Sequence, residues 1–298
     1  MAVVNKRKRL FRWAMIAIAV LPFLVVAIRE VLLSSLRKGI ADIGVVGTTG
    51  IVKVACIGDY ITQRGYPRFL GELLGPRYNV TNYGAEGQTL SRSGKCYRKK
   101  ALGSCSYWNT DQFTDAQASH PDIVIILLGT NDAKAFNWQL FNQTFVEDYL
   151  DMIRIFAELP SEPLIFLGIP PPVVAPPNSN PGTPIRYQVI EKVINSDLRT
   201  IIPNVVATQA SKQFGGTATI GGVVDTWSAL GGTQGYPNLT NDGIHPTEAG
   251  LTIVARAFAK AIAKSDRKHR ATSAPAPPMF TVATKGGASN HGIRHGQR

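Results

Sequence analysis

A histidine that follows an aspartate at a spacing of three residues is the first feature of this sequence that could perform acid–base chemistry. Asp242 and His245 stand in a short segment directly before Pro246 and a helical pattern. In a tight turn, an aspartate at this spacing can hydrogen-bond one ring nitrogen and aim the other, which is the arrangement of a general base. The structural alternative is a helix-leading turn with an incidental histidine.

The positions of the other histidines favour His245 as the base. His120 precedes Pro121 at the entrance to an apolar run. The remaining histidines, His269, His291 and His295, lie in a C-terminal tail without apolar periodicity. A general base must be held within hydrogen-bond reach of its substrate, so His245 is the one histidine whose surroundings suit that role.

Two further residues could supply hydrogen-bond donors to an anion. Gly84 lies in the segment 82–89, and Asn131 follows Gly129 and Thr130 at the end of an apolar run. The backbone amide of Gly84 and the side-chain amide of Asn131 would provide the fixed donors that a tetrahedral oxyanion requires. Either residue also has a structural explanation, because glycine permits a turn and asparagine caps a helix.

The elements that must position these residues alternate between strand and helix. Buried parallel strands are predicted at 51–57, 122–128 and 163–169, with weaker candidates at 78–83 and 222–225. Helical spacing occurs at 66–74, 144–159, 188–202 and 247–264. This alternation predicts a three-layer α/β/α sandwich. Ligands bind such sheets at the carboxyl ends of the strands, which is where Gly84 and Asn131 fall, while Asp242 and His245 stand ahead of the final helix.

Four blocks in this order resemble those of the SGNH (GDSL-type) ester hydrolases. The blocks are 58–62, 82–89, 129–132 and 242–246, and the resemblance covers residues 51–264. It implies a mainly parallel, flavodoxin-like sheet and hydrolysis of acetyl or acyl esters without a cofactor or a metal. It also implies that Asp242 and His245 are catalytic, that Asp59 supports the site, and that oxyanion donors are Gly84, Asn131 and the backbone of Tyr60.

Tyr60 is the one departure from the family pattern, which has the nucleophilic serine at this position. A phenol places its oxygen several bond lengths further from the backbone than a serine hydroxyl, and its ring fills the space of the acyl carbonyl. Tyrosine does act as a nucleophile in some glycosidases. Three explanations stay open: a silent member that still binds ligand, an unorthodox nucleophile or a water activated by His245, and a sequence variant or error.

The substrate class follows from a softer resemblance. The segments 129–134, 137–138 and 170–173 resemble carbohydrate and sialate O-acetylesterase-like members, and more distantly lysophospholipase-like ones. The expected partner is therefore a small-molecule or carbohydrate ester, with a phospholipid as the alternative. Trp138 could stack on a sugar face or simply pack within the domain.

The distribution of charge argues against a nucleic-acid partner. The 298 residues carry a formal net charge of +12. Counted from the sequence, residues 1–49 hold +6, residues 50–264 hold +1 and residues 265–298 hold +5. A face that binds DNA or RNA needs its excess of cations within the folded domain, and here that domain is nearly neutral.

The amino-terminal charge accompanies a membrane-targeting pattern. A basic segment, 1–12, precedes an apolar stretch, 13–33, which is predicted to be a signal-anchor helix. A stem at 34–49, the hydrolase-like domain at 50–264 and a disordered basic tail at 265–298 complete the predicted organisation. The domain would then be luminal or extracellular on a single-pass membrane protein. Secretion after cleavage of a signal peptide is the alternative.

Cysteines and glycosylation motifs are compatible with that topology. Cys96 and Cys105 could form a disulfide in an oxidising compartment, whereas Cys56 lies in an apolar run and is predicted to be a buried thiol. Sequons occur at Asn79, Asn142 and Asn238. The spacing of cysteine, histidine and acidic residues predicts no metal cluster. The sequence does not indicate an oligomeric state.

Overall fold

The fold is described from a computed structural model at residues 50–98, 101–176, 180, 189–214 and 220–273. Among these residues, no helix combines the length and the apolar character needed to cross a membrane. The predicted basic segment, anchor and stem (1–49) lie outside them. The last helix continues to Ser273, so the first residues of the predicted tail are helical. The rest of that tail lies outside the described residues.

Five of the described strands form one parallel sheet. The described strands are β1 (Val52–Gly58), β2 (Tyr78–Gly84), β3 (Lys95–Arg98), β4 (Ala101–Ser104), β5 (Ile123–Leu127), β6 (Leu164–Ile169) and β7 (Ile220–Asp225). Strands β3 and β4 form a separate hairpin. The order in the sheet is β2-β1-β5-β6-β7, and each neighbouring pair is parallel. This is the flavodoxin-like order, so the prediction of a mainly parallel, doubly wound sheet is confirmed.

Helices cover both faces of the sheet. They are α1 (Tyr60–Gln63), α2 (Tyr66–Leu74), α3 (Asp111–Ala118), α4 (Ala135–Phe141), α5 (Phe145–Ala157), α6 (Leu198–Ile201), α7 (Ala207–Phe214), α8 (Thr226–Ala229), α9 (Gly232–Gly235) and α10 (Glu248–Ser273). Side chains of α2 and α10 share one buried cluster, and side chains of α3, α5 and α7 share the other. The predicted three-layer sandwich is therefore confirmed.

The apolar periodicity of each element explains how these layers form. Successive side chains of a strand point to opposite faces, and in β1 Ala55 and Ile57 join one cluster while Val54 and Cys56 join the other. Parallel strands that are buried on both faces read as continuous apolar runs, as seen here. Helix α5 buries one stripe at helical spacing, consisting of Tyr149, Met152, Ile153 and Phe156.

The structure differs from the sequence-based elements in two regions. The helix predicted at 188–202 runs on to Phe214 and contains two π-helical turns, Val193–Asp197 and Ile202–Val206. Pro203, which has no N–H to donate, lies in the second turn. The antiparallel hairpin of β3 and β4 was not predicted, because its polar segment carries no apolar alternation.

The packing of α10 on the sheet should contribute strongly to stability. Phe258 is fully buried, stacks on Tyr66 with ring centroids 5.4 Å apart, and lies close to Gly168. We expect Phe258→Ala to lower the free energy of unfolding by about 3–5 kcal/mol, measured by urea denaturation. Leu140→Ala, at a position 68% exposed, is the control and should change it by about 0.5 kcal/mol or less. Equal effects would contradict this packing.

Candidate active site

A cleft of about 420 Å³ lies at the carboxyl ends of β1 and β5. Its walls include Tyr60, two residues after the end of β1, and Asn131, shortly after β5. Asp242 and His245 come to the same cleft from the loop before α10. Residues from three distant parts of the chain therefore meet where a parallel sheet places its ligand.

Asp242 and His245 form a hydrogen-bonded pair. Asp242 Oδ2 lies 2.7 Å from His245 Nδ1. The other carboxylate oxygen, Oδ1, accepts the backbone N–H groups of Ile244 at 3.0 Å and His245 at 2.8 Å. The Asp242 carboxylate is thus held both by backbone N–H groups of its own turn and by the His245 ring. With Nδ1–H donating to the carboxylate, Nε2 is the basic nitrogen of the neutral ring.

The electrostatics of Asp242 favour its ionised form. Burial raises the pKa of this carboxyl, but the hydrogen bonds from the His245 ring and from the backbone of His245 and Ile244 outweigh burial, and the net pKa is lowered. An ionised partner stabilises the imidazolium that forms when His245 accepts a proton. The pair therefore has the geometry and the charge of a general base.

Gly243 allows the turn to approach the loop that follows β6. Its φ is +84°, and a Cβ here would lie 2.1 Å from the backbone oxygen of Val174. The Val174 N–H donates to the Gly243 carbonyl at 2.9 Å. From the same turn, Ile244 accepts the Tyr236 hydroxyl at 2.6 Å. These contacts fix the loop on which the base stands.

Tyr60 places an aromatic ring directly beside the base. It is the first residue of α1, whose N-terminus is capped by Asp59 through the Ile61 N–H at 2.9 Å. The ring centroids of Tyr60 and His245 are 4.5 Å apart with an edge-on angle of 69°. The Arg64 guanidinium lies 5.0 Å from the Tyr60 centroid. The phenol ring thus occupies cleft space where the family pattern has a small hydroxymethyl group.

Asn131 lines the cleft and is held by several bonds. Its Nδ2 donates to the Gln88 carbonyl at 3.0 Å and, at 3.4 Å, to Asp59 Oδ2. Its own backbone carbonyl accepts Nδ2 of Asn137 at 2.9 Å. The contact with Gln88 occupies one Nδ2 proton, whereas the longer contact with Asp59 holds the second proton weakly. A ligand in the cleft could accept a hydrogen bond from that second proton.

The structure does not bring Gly84 to the cleft, which corrects the expected oxyanion donor. The Gly84 N–H donates to the Asn82 side chain at 2.9 Å, and a Cβ on Gly84 would lie 2.2 Å from the backbone nitrogen of Gln63. Gly84 therefore permits close packing of α1. Gly87, with φ at +75°, lines the cleft instead. A second glycine just beyond the strand was the available signal, and spacing alone did not distinguish the two.

Buried or half-buried ionisable groups lie in the wall of the cleft, as Asp59 and Lys134 do, or next to it, as Asp132 does. Asp59 is 1% exposed, and burial raises its pKa to about 7 despite the hydrogen bond from Ile61. Burial also raises the pKa of Asp132, which accepts the backbone N–H groups of Leu90 and Ser91. Lys134 lines the cleft, and its own burial lowers its pKa, while the nearby carboxylates oppose that shift. Sequence reasoning did not single out Lys134.

The remaining predicted residues lie away from the cleft. The structure joins Cys96 to Cys105 with the Cα atoms 5.5 Å apart, and Cys56 is a buried free thiol. The sequon asparagines Asn79, Asn142 and Asn238 are exposed. Trp138 packs against Phe145 with centroids 5.5 Å apart and is not part of the cleft wall. Within the described ranges, no group of acidic, cysteine or histidine side chains could hold a metal.

Comparison with known proteins places these residues in context. Residues 56–253 match the model of the GDSL-like lipase/acylhydrolase family. The chain is 31% identical over 237 residues to an acetylxylan esterase from Xylanibacter ruminicola, covering 71% of this chain but only 43% of that protein. The chain thus spans less than half the length of this curated relative.

Two solved structures illustrate the structural similarity. A Bacteroides fragilis protein, provisionally assigned as an acylhydrolase, is 20% identical with a TM-score of 0.51, covering 78% of this chain and 95% of its own. A carbohydrate esterase family 3 protein from Talaromyces cellulolyticus is 16% identical with a TM-score of 0.49, covering 73% and 99% respectively. At these identities the first likeness concerns the fold alone.

The raised pKa of Asp59 predicts a specific pH dependence of stability. The folded protein keeps a proton on Asp59 up to about pH 7, whereas the ordinary value is 3.8. Stability from this proton is therefore fully present below about pH 3.8 and is lost progressively as pH rises from there to about 7. We expect Asp59→Asn to raise the free energy of unfolding above that pH by at most about 4 kcal/mol and to have little effect near pH 4.

Urea denaturation between pH 4 and pH 8 measures this effect. Asp115→Asn is the matched control, because Asp115 is an exposed carboxylate on α3. The control should stay within about 0.5 kcal/mol of the wild type throughout. A gain for Asp59→Asn that is the same at every pH would show that the buried charge is not its cause.

Proposed function

The chain belongs to the GDSL-like lipase/acylhydrolase family, and from that premise we propose that its cleft hydrolyses carboxylic esters with the Asp242–His245 pair as general base. The single observation that carries the proposal is the 2.7 Å contact between Asp242 Oδ2 and His245 Nδ1. The backbone bonds to Oδ1 keep this pair in place without help from residue 60. A general base of this kind can take a proton from whichever hydroxyl group or water molecule lies beside it.

Water is the proposed nucleophile, because the serine of the family is absent. His245 Nε2 takes a proton from a water molecule whose oxygen attacks the carbonyl carbon of the ester. The resulting oxyanion accepts hydrogen bonds from the Asn131 side chain and from the Gly87 backbone. The intermediate then collapses, the bond to the alcohol oxygen breaks, and His245 returns the proton to that oxygen. One ester and one water give one carboxylic acid and one alcohol.

A direct role for the phenol of Tyr60 as nucleophile is disfavoured by its reach. The ring lies beside His245, and its hydroxyl oxygen stands beyond the ring, several bonds further from the backbone than a serine oxygen would. Attack from that position would take the carbonyl away from the donor at Asn131, and the two contributions could not act together. The ring therefore limits space and does not replace the serine.

An acetyl ester of a carbohydrate is the proposed substrate class. The Tyr60 ring forms part of the wall of the cleft of about 420 Å³ and lies beside His245, which favours a short acyl group there. The cleft walls include many polar side chains, among them Glu86, Thr130 and Asn241, which suit the hydroxyl groups of a sugar. The similarity to an acetylxylan esterase supports the same class, although this chain spans only 43% of that protein.

A second candidate is a site that binds such an ester without turning it over. The contact between the Tyr60 ring and His245 favours it, because an aromatic ring whose centroid lies 4.5 Å from that of the imidazole restricts the approach of water to the base. In that case the cleft would still bind the ester but would not hydrolyse it.

A secretory, membrane-attached location is also part of our proposal. The Cys96–Cys105 disulfide supports an oxidising compartment, and the three sequons are exposed where glycosylation would require it. The anchor itself is proposed from the basic and apolar pattern of residues 1–33.

Turnover of p-nitrophenyl acetate by the purified full-length chain tests the proposed reaction. We expect slow hydrolysis by the wild type and about the same rate for Tyr60→Phe, because the phenol oxygen takes no part. His245→Asn should lower the rate by about 10² or more, since it removes the base. Tyr60→Ser should raise it by about 10² or more by restoring a serine beside that base.

His120→Asn is the matched control, because it replaces an exposed histidine far from the cleft, at a positive φ that asparagine tolerates. Its rate should equal that of the wild type. A wild-type rate that survives in His245→Asn contradicts the proposed base, and loss of activity in Tyr60→Phe would assign the attack to the phenol. Activity confined to Tyr60→Ser would support the binding-only candidate.

A further inference from the structure

Asn137 links the backbone of Asn131 to the β3–β4 hairpin. The Asn137 side chain is buried in the first turn of α4 and donates from Nδ2 to the backbone carbonyls of Asn131 at 2.9 Å and Lys95 at 3.0 Å. Its Oδ1 accepts the Lys95 N–H at 2.8 Å. One amide group therefore fastens Asn131 to the residue that precedes Cys96.

Cys105 is connected to the side chain of Asn131 by a separate set of bonds. The Cys105 carbonyl accepts the Thr89 N–H at 2.8 Å and the Thr89 hydroxyl at 3.0 Å. Thr89 follows Gln88, whose carbonyl accepts Nδ2 of Asn131 at 3.0 Å. Gly94 allows this close arrangement, because a Cβ there would lie 1.7 Å from the Thr89 hydroxyl oxygen.

The Cys96–Cys105 disulfide joins these two sets of bonds into a closed circuit, and we propose that this circuit is a positioning device for the Asn131 amide. One arm runs through Asn137 to the Asn131 backbone, and the other runs through Thr89 and Gln88 to the Asn131 side chain. Asn137 is thus a positioning residue for the reaction. The inference rests on the proposed function, because precise placement of Asn131 matters for an oxyanion.

Physical reasons make such a circuit necessary. A hairpin of two short strands is marginally stable by itself in water, and β3 and β4 pair with no other strand of the described chain. A covalent link restricts the conformations that such a segment can explore. An oxyanion donor must be held within about 0.5 Å of its productive position, which a loosely attached hairpin would not achieve.

Hydrogen–deuterium exchange of the full-length chain in detergent, read by mass spectrometry, tests the circuit without requiring turnover. Exchange at residues 89–91 reports on the arm through Thr89 and Gln88, and exchange at residues 133–137 reports on the arm through Asn137. Residues 89–91 donate backbone hydrogen bonds to Cys105 and Asp132, and residues 133–137 donate theirs next to Asn131. Each variant is judged by the segment remote from the substitution, because a local change would accompany any structural role.

We expect Cys105→Ser, which breaks the disulfide, to raise exchange about tenfold at 133–137, and Asn137→Leu to raise it about tenfold at 89–91. Asn195→Leu is the matched control, because Asn195 clamps the backbone N–H and carbonyl of Val173 in the same way but has no bond to the circuit. It should leave both segments unchanged. Changes confined to the segment nearest the substitution overturn the proposal.

The separate effects of Asn137→Leu on kcat and KM provide a second readout. A purely structural role of Asn137 would not produce a selective loss of kcat. In whichever of the wild-type and Tyr60→Ser chains hydrolyses p-nitrophenyl acetate, Asn137→Leu should lower kcat about tenfold with KM unchanged, because the donor acts on the transition state. An equal loss in Asn195→Leu would overturn the proposal. If neither chain hydrolyses the ester, the proposed function fails, and exchange alone still decides the circuit.

Discussion

The register of three parallel strands is the constraint on which the rest of the site depends. Gly58 at the end of β1 pairs with Gly84 at the end of β2 and with Leu127 at the end of β5. The three strands thus stop together, and the loops that follow them leave the sheet side by side. A Cβ on Gly58 would lie 1.9 Å from the Thr62 hydroxyl oxygen. With any larger residue at position 58, α1 could therefore not pack so closely over the end of the sheet.

Much of this arrangement could be predicted from the sequence, because continuous apolar runs define buried parallel strands and the Asp242–His245 spacing defines a local turn. What the sequence did not reveal depends on distances between segments. The sequence alone does not distinguish Gly84 from Gly87. Only the structure shows that Gly84 packs against the backbone of Gln63 while Gly87 lines the cleft. The circuit around Asn131 was likewise not predicted, because its Lys95–Asn137 and Gln88–Asn131 bonds join residues more than forty positions apart in the chain.

The buried carboxylates show how the cleft differs from the apolar core around it. Asp132 accepts two backbone N–H groups, which offset part of the cost of burying a charge. Asp59 accepts one backbone N–H and a long contact from Asn131, so its charge is less well compensated. Burial raises the pKa of both carboxyls, and for Asp59 it does so to about 7. Uncompensated charge beside a ligand cleft is typical of sites where stability has been exchanged for function.

Tyr60 is an unusual substitution because the structure around it does not depend on its side chain. The cap of α1 uses Asp59 and the Ile61 backbone, and the Asp242–His245 pair is fixed by its own turn. The partly exposed phenol ring therefore fits within a scaffold that the other residues build. Because the Asp242–His245 pair and Asn131 are held by contacts that do not involve residue 60, a change at that position leaves both in place. This independence is the reason that we propose water as the nucleophile.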